Sequence, residues 1–388
     1  MWNFDELVDR SNTNSVKYDL RTLKFGKDNV IPMWVADMDF KTPAFIIDAV
    51  KKRAAHEIYG YTFRGSSFDK AVMHWMEYKH GWKVQKKWIT FSPGVVSALS
   101  AAVLAFTSPG DKVIVQPPVY FPFYSSIQNF GRRVINNQLI EKNGNYFIDF
   151  DDLEQQIDSR TKMLMFCSPH NPVGRVWTKE ELKRLADICV RHDLIVVSDE
   201  IHSDLVFEPN KHIPLATISD EIAERTISTF APSKTFNVAG LSTSAIIINN
   251  EKLKKRFDNF MQDLHISGGN IFGTIALEAA YTHGADWLAD LMKYLSVNIQ
   301  MVKDFTEKPN IKIKMKVPES TYLLWLDFRE YDLPEEEINK LIIEKAGLGF
   351  NPGSIFGPGG KGFQRMNIAC PHSIVEKALN NLEKVFSF

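Results

Sequence analysis

Between about Ser92 and Asn250 the chain alternates apolar runs of five to eight residues with stretches of helical period. No other feature limits its fold as strongly. The runs are KVIVQ (112–116), RVINNQLI (133–140), KMLMFC (162–167), LIVVS (194–198), TISTF (226–230) and TSAIIIN (243–249). Strands that alternate with helices pair side by side in parallel, because a parallel crossover needs a connection long enough to hold a helix. The last four runs are largely apolar, as strands become when helices cover both faces of their sheet. One such helix announces its own start. Thr178, with Glu181 three positions on, forms a capping box ahead of the amphipathic stretch 179–191.

A chain of 388 residues exceeds what one small core organises, and its pattern changes after about Ala285. A long helical stretch is followed there by KIKMKV (312–317), TYLLWLDF (321–328) and FQRMNIAC (363–370), which read as strands of a smaller α+β unit. The first 45 residues, holding the apolar segments WNF and PMWVADMDF, precede the alternating region and are expected to pack with that unit. The predicted division is a large domain over 46–285 and a small domain made of 1–45 and 286–388.

The formal net charge is −1, which favours neither nucleic acid nor an anionic membrane. The basic runs 252–256 and 312–316 read as a solvated helix face and a strand edge. Cys167, Cys189 and Cys370 lie in apolar patterns without framework spacing, so reduced, buried thiols are expected. The N-terminus has no apolar secretory core, and no run reaches the ~20 residues of a membrane-spanning helix. A soluble, cytoplasmic protein is the expectation.

Ligands of doubly wound sheets bind beyond the carboxyl ends of the strands. Three polar elements fall at such ends: the SPHNP loop (168–172) after KMLMFC, Asp199 after LIVVS, and Lys234 after TISTF. A lysine able to form a Schiff base and a carboxylate able to hold a ring nitrogen protonated are what a pyridoxal phosphate enzyme needs. Gly94 and Val95, in SPGVV, open a helix whose free N–H groups suit a phosphate or serve as an ordinary helix start. Tyr120, in PPVYFPF, could stack on a flat cofactor or simply pack. Asn171 could donate to a phenolate or make an Asn-Pro turn. Arg365 could fork onto a carboxylate or lie on the surface. The stretch 357–362 is a literal G-x-G-x-x-G, but it neither follows a strand nor opens a helix, which excludes a dinucleotide site. No Cys/His zinc spacing occurs, and no metal is expected.

Taken together, the motifs resemble those of the fold-type I pyridoxal phosphate enzymes, the aspartate aminotransferase-like group, and within it the MalY/PatB-type cystathionine β-lyase (cysteine-S-conjugate β-lyase) family. PMWVADMDF, YGYT (59–62), SPGVV, PPVYFPF, SPHNPVGRVW, SDEIHSDL, APSKTFNVAGL, TYLLWLDF and RMNIACP carry the resemblance over nearly the whole chain. It implies a mainly parallel seven-stranded sheet plus the smaller α+β domain. It implies pyridoxal 5'-phosphate held by Lys234 as Schiff base, Asp199 at the ring nitrogen, Asn171 at the ring hydroxyl and Tyr120 over the ring. Gly94, Val95 and Ser233 would contact the phosphate, His202 would lie beside the ring, and Tyr61 would reach the phosphate of a neighbouring subunit in a homodimer. Arg365, with Asn171 and Val35, would bind the substrate, and Lys234, Asp199 and Tyr120 would serve catalysis. His202 stands where many aminotransferases carry a tyrosine, and Ser242 where they commonly carry a phosphate-binding arginine; both departures look like the β-lyase branch. The implied reaction is α,β-elimination from L-cystathionine or a related cysteine thioether, giving a thiol (homocysteine), pyruvate and ammonia. An aminotransferase on the same scaffold and a cofactor-bearing regulatory binding protein are the alternatives.

Overall fold

The computed structural model describes residues 2–387. Its centre is a seven-stranded sheet, made of β1 (Ile89–Ser92), β2 (Lys112–Val115), β3 (Arg133–Asn136), β4 (Thr161–Cys167), β5 (Ile195–Asp199), β6 (Thr226–Phe230) and β7 (Ser244–Ile248). The strand order is β1-β7-β6-β5-β4-β2-β3. Only β7 runs against its neighbours β1 and β6; the remaining pairs are parallel. The sheet is therefore mainly parallel, as the alternation requires.

Side chains along β4 divide between two cores, because successive residues of a strand point to opposite faces. Met163, Met165 and Cys167 pack with Ala98, Leu99 and Ala102 of the helix Val95–Phe106. Leu164 and Phe166 pack on the other side with Leu182, Leu185 and Cys189 of the helix Lys179–Arg191. With both faces covered, the strands can be apolar on both sides. The expected capping box is present: Glu181 N donates to Thr178 Oγ1 at 3.2 Å and Thr178 N to Glu181 Oε2 at 2.8 Å.

One predicted strand is shorter than its apolar pattern. RVINNQLI is regular strand only to Asn136: Asn137 N still donates to Val115 O at 2.9 Å, but Pro117 opposite has no N–H to return the next bond, and the Asn137 side chain accepts from Gln116 Nε2 at 3.0 Å and donates to Asp152 Oδ2 at 2.8 Å. Ile140–Lys142 then joins a separate hairpin with Asn145–Phe147. The strand β1 was not among the predicted runs; its ITFS sequence is short and half polar.

The C-terminal region forms a four-stranded antiparallel sheet of Lys314–Met315, Leu323–Asp327, Asn351–Pro352 and Phe363–Asn367, the last two being neighbours. The N-terminal segment lies against it. Ile31–Pro32 pair in parallel with Leu348–Gly349. Asp39 N donates to Ala369 O at 2.8 Å, and the Asn367 amide donates to both Val35 O and Asp37 O at 2.6 Å. The three cysteines are buried and unpaired. Among the described residues no helix is long and apolar enough to cross a membrane. The stretch 357–362 opens no helix but leads into the strand Phe363–Asn367.

Candidate active site

The parallel register aligns the functional strand ends. Cys167 at the end of β4 pairs with Asp199 at the end of β5, and Asp199 pairs with Thr229 of β6. Beyond β6 the chain passes through Ala231 into a one-turn helix, Pro232–Thr235, that carries Ser233 and Lys234. Beyond β1, Gly94 caps the helix Val95–Phe106 with no side-chain cap, so its first N–H groups have no side-chain partner. These ends enclose a cavity of about 200 Å³. Its walls include Gly94, Val95, Tyr120, Asn171, Asp199, His202, Ser233 and Lys234, bringing together eight of the residues singled out in the sequence. The space above Gly94 is open: a Cβ placed there would meet nothing within 4 Å.

The charges in this cavity are strained by burial. Desolvation, with a contribution from the Arg365 cation, lowers the Lys234 ammonium to about 8. Its Nζ donates to Ala36 O at 2.8 Å, and Tyr322 Oη donates to the same carbonyl at 3.1 Å. Burial raises the Asp199 carboxyl to about 7, although Ile201 N donates to its Oδ1 at 3.2 Å. His202 is pushed down to about 3, chiefly by burial and then by Lys234 and Arg365, so its ring is neutral. Burial also raises the Tyr120 phenol.

Arg365, on the strand Phe363–Asn367, is buried and reaches the cavity wall from the other sheet. Its Nη1 donates to Asn171 Oδ1 at 3.1 Å and its Nη2 to Trp34 O at 2.9 Å. The guanidinium also lies 4.8 Å from the centre of the Phe356 ring. Desolvation brings it down to about 10, and its Nε has no partner. Val35 is one residue from the wall, which Ala36 forms, and its carbonyl is taken by Asn367. Tyr61 is not part of the cavity; it is fully exposed in the segment between the helices Ala44–Ala54 and Ser66–His80.

Several contributors had no sequence signal of their own. Ala36, Cys167 and Thr243 also line the cavity, and the Ala36 carbonyl accepts from Lys234; each is an ordinary residue type without a motif of its own. Thr243 was discoverable only as the second hydroxyl of the Ser242–Thr243 pair. Its Oγ1 and the Nδ1 of His202 are buried without a partner, which makes the cavity a polar site awaiting a polar ligand. A phosphate-bearing pyridine fits this donor set. An uncapped helix start and hydroxyls lie at one part of the wall, a carboxylate at the end of β5, and a lysine on the helix after β6. Among the described residues no group of three or more His, Cys, Asp or Glu side chains is placed to hold a metal ion.

The family model for aminotransferase class I and II matches residues 28–382. The chain is 45% identical to cystathionine β-lyase PatB of Bacillus subtilis, over 99% of this chain and 100% of that protein. It is 31% identical to the protein MalY of Escherichia coli, over 98% of each. Its structure superposes on crystalline cystalysin of Treponema denticola, which contains a pyridoxal 5'-phosphate cofactor, with a TM-score of 0.95 at 40% identity, covering 99% of this chain and 98% of that one. By its fold, its strand-end lysine and carboxylate, and these likenesses over its full length, the chain belongs to the class I and II aminotransferase family and, within it, to the pyridoxal phosphate enzymes of the MalY/PatB cystathionine β-lyase type.

Proposed function

We propose that this protein is a pyridoxal phosphate-dependent carbon–sulfur β-lyase acting on L-cystathionine or related cysteine S-conjugates and releasing a thiol, pyruvate and ammonia. The observation that carries the reading is the buried Arg365, hydrogen-bonded to Asn171 in the wall of the cavity that holds Lys234 and Asp199. A guanidinium there suits the α-carboxylate common to amino acids. Full-length likeness to PatB favours elimination over transamination.

When bound, pyridoxal phosphate supplies a carbonyl for amine exchange and a ring that accepts the electron pair of a breaking Cα–H bond. Each residue then has a defined task. Lys234 would be the attachment amine and its Nζ the base that takes the Cα proton. Burial helps it, because a lowered ammonium loses its proton closer to neutral pH. Asp199 would hold the ring nitrogen, and a nearby cation would draw its carboxyl down from the raised value it has alone. Asn171, whose Oδ1 is occupied by Arg365, keeps its Nδ2 hydrogens for the ring oxygen. Tyr120 would cover the ring, with His202 beside it. Gly94, Val95 and Ser233 would hold the phosphate. Val35 sits on the rim next to Trp34, whose carbonyl steadies Arg365.

The same proposal covers assembly and place. Ile58, Tyr59, Tyr61 and Phe63 form an exposed apolar run, which supports a homodimer in which Tyr61 reaches the partner's phosphate site. We read residues 46–285 as the cofactor-binding domain, residues 1–45 and 286–388 as the small domain, and the cytoplasm as the compartment. The test is a panel of cysteine thioethers assayed for pyruvate and free thiol with no keto-acid present. Release of both supports the lyase; turnover only on adding a keto-acid acceptor would make the protein an aminotransferase.

A further inference from the structure

Lys234 sits on a helix that cannot hold itself in place. Pro232–Thr235 is four residues long, has no side-chain cap, and is closed by two backbone bonds, Phe236 N to Pro232 O at 2.8 Å and Val238 N to Ser233 O at 3.2 Å. One helical turn fixes more dihedrals than its hydrogen bonds repay, so its orientation must come from tertiary contacts. Beside the bond of Lys234 to Ala36 O and those of Asn237 to Met38 and Phe40, one such contact is made by the residue next to Lys234. Thr235 is fully buried and its Oγ1 donates to Asp204 Oδ2 at 2.8 Å.

Asp204 is itself held from two other sides. Its Oδ1 accepts from Trp75 Nε1 at 3.0 Å and lies 3.1 Å from His80 Nε2, both on the helix Ser66–His80. Its side chain is 5% exposed. Burial alone would raise such a carboxyl, but the hydrogen bonds from His80 and Thr235 hold it below the usual carboxylate range. It is a fixed anion with three donors.

The position of Asp204 in the chain gives this anchor a further consequence. It ends the tight turn that starts at Asp199. Ser203 N donates to Glu200 O at 3.0 Å and Leu205 N to His202 O at 2.9 Å, so the backbone from Asp199 to Asp204 is compact. We infer that Asp204 is a positioning residue for Lys234: through Thr235 it locks the helix of the lysine to the turn that carries Asp199 and His202. The inference rests on Lys234 being the reacting amine. One buried carboxylate thereby helps to fix the separation between Lys234 and Asp199, the two residues that would hold the cofactor. Glu200, in the same turn, is paired with His212 at 2.7 Å, and the His212 ring stands 5.5 Å from that of His80, so the support extends as one buried layer.

Thr235→Val keeps the shape of the side chain and removes the donor. The holoenzyme variant is expected to fold and retain cofactor. Its kcat should fall by about tenfold to a hundredfold with KM changed by less than about threefold, the size of effect that a small misplacement of a reacting group produces. The pH midpoint of the visible band of the bound cofactor should move, since it reports the surroundings of the lysine nitrogen. Thr235→Ser, which restores the hydroxyl, should recover both. Where Val is not tolerated, Thr235→Ala makes the same comparison against Ser. A kcat within about twofold of the parent with an unmoved midpoint would overturn the inference, even if the melting temperature dropped. Borohydride trapping and peptide mapping of the unaltered protein reports on Lys234 alone, so an error in that underlying assignment would appear there and not in the Thr235 series.

Discussion

Arg365 Nη1 donates to Asn171 Oδ1 at 3.1 Å, across 194 residues of sequence. The bond joins the C-terminal sheet to the loop after β4, so Asn171, a residue of the cavity wall, is held from the other sheet. Arg365 is 2% exposed and, among the described residues, no carboxylate partners it. A buried cation without its anion is costly, and a site of this kind gains when an anion arrives.

Arg365→Ala should therefore weaken all amino-acid substrates alike, because the contact is to the α-carboxylate and not to the sulfur substituent. Loss of a charge-assisted partner costs on the order of 2–5 kcal/mol, a fall in kcat/KM of about thirtyfold to several thousandfold. Cofactor occupancy should stay full. Steady-state kinetics across several leaving groups checks this; a loss confined to some thioethers would move the carboxylate site elsewhere.

Lys234→Ala should abolish turnover and leave no lysine for borohydride to fix to the cofactor, whereas the parent protein should be labelled at Lys234. In the cofactor-free protein, labelling of this amine should rise through a pH of about 8, below the ordinary lysine value of 10.5, because burial and Arg365 disfavour its ammonium. Labelling of a different lysine refutes the assignment.

Asp199→Asn should retain some cofactor and lose activity by orders of magnitude, since a neutral amide cannot keep the ring nitrogen protonated. The cofactor-free protein offers a second readout. The folded carboxyl titrates near 7 and the unfolded one near 3.8, so the folded state binds the extra proton between them. The stability this contributes is fully present below the unfolded value and is lost as pH rises through the folded one. Thermal midpoints of the parent should thus decline relative to those of Asp199→Asn across this window. Parallel pH profiles would show that Asp199 is not the buried, raised group.

Tyr61→Ala should leave the fold unchanged, because Tyr61 makes no cavity contact within its own chain and is fully exposed. If it reaches the phosphate of a partner subunit, the variant should release cofactor more readily. Losing one hydrogen bond to a charged group costs about 1.5–3 kcal/mol, roughly tenfold to a hundredfold in retention. Sedimentation together with dialysis against buffer tests both parts. A fully active monomer would remove Tyr61 from the site.

The sequence by itself determined the mainly parallel sheet and which strand ends matter. Two-sided burial demands apolar runs, a parallel crossover demands a helix, and both leave periodic marks that survive without coordinates. Asp199, Lys234 and Asn171 were legible for the same reason, each standing where an apolar run stops. Where RVINNQLI ends was not legible, because it depends on Pro117 in the neighbouring strand and on side-chain partners of Asn137 at Gln116 and Asp152 that its own neighbours do not reveal. Nor were the Ala36 carbonyl beside Lys234, the Asn367 amide that fixes Val35 and Asp37, or the grip of Asp204 on Thr235. Each of these is a meeting of residues distant in sequence, made through a backbone atom or a common polar side chain. Such contacts carry no local pattern, and only the packing of the whole chain decides them.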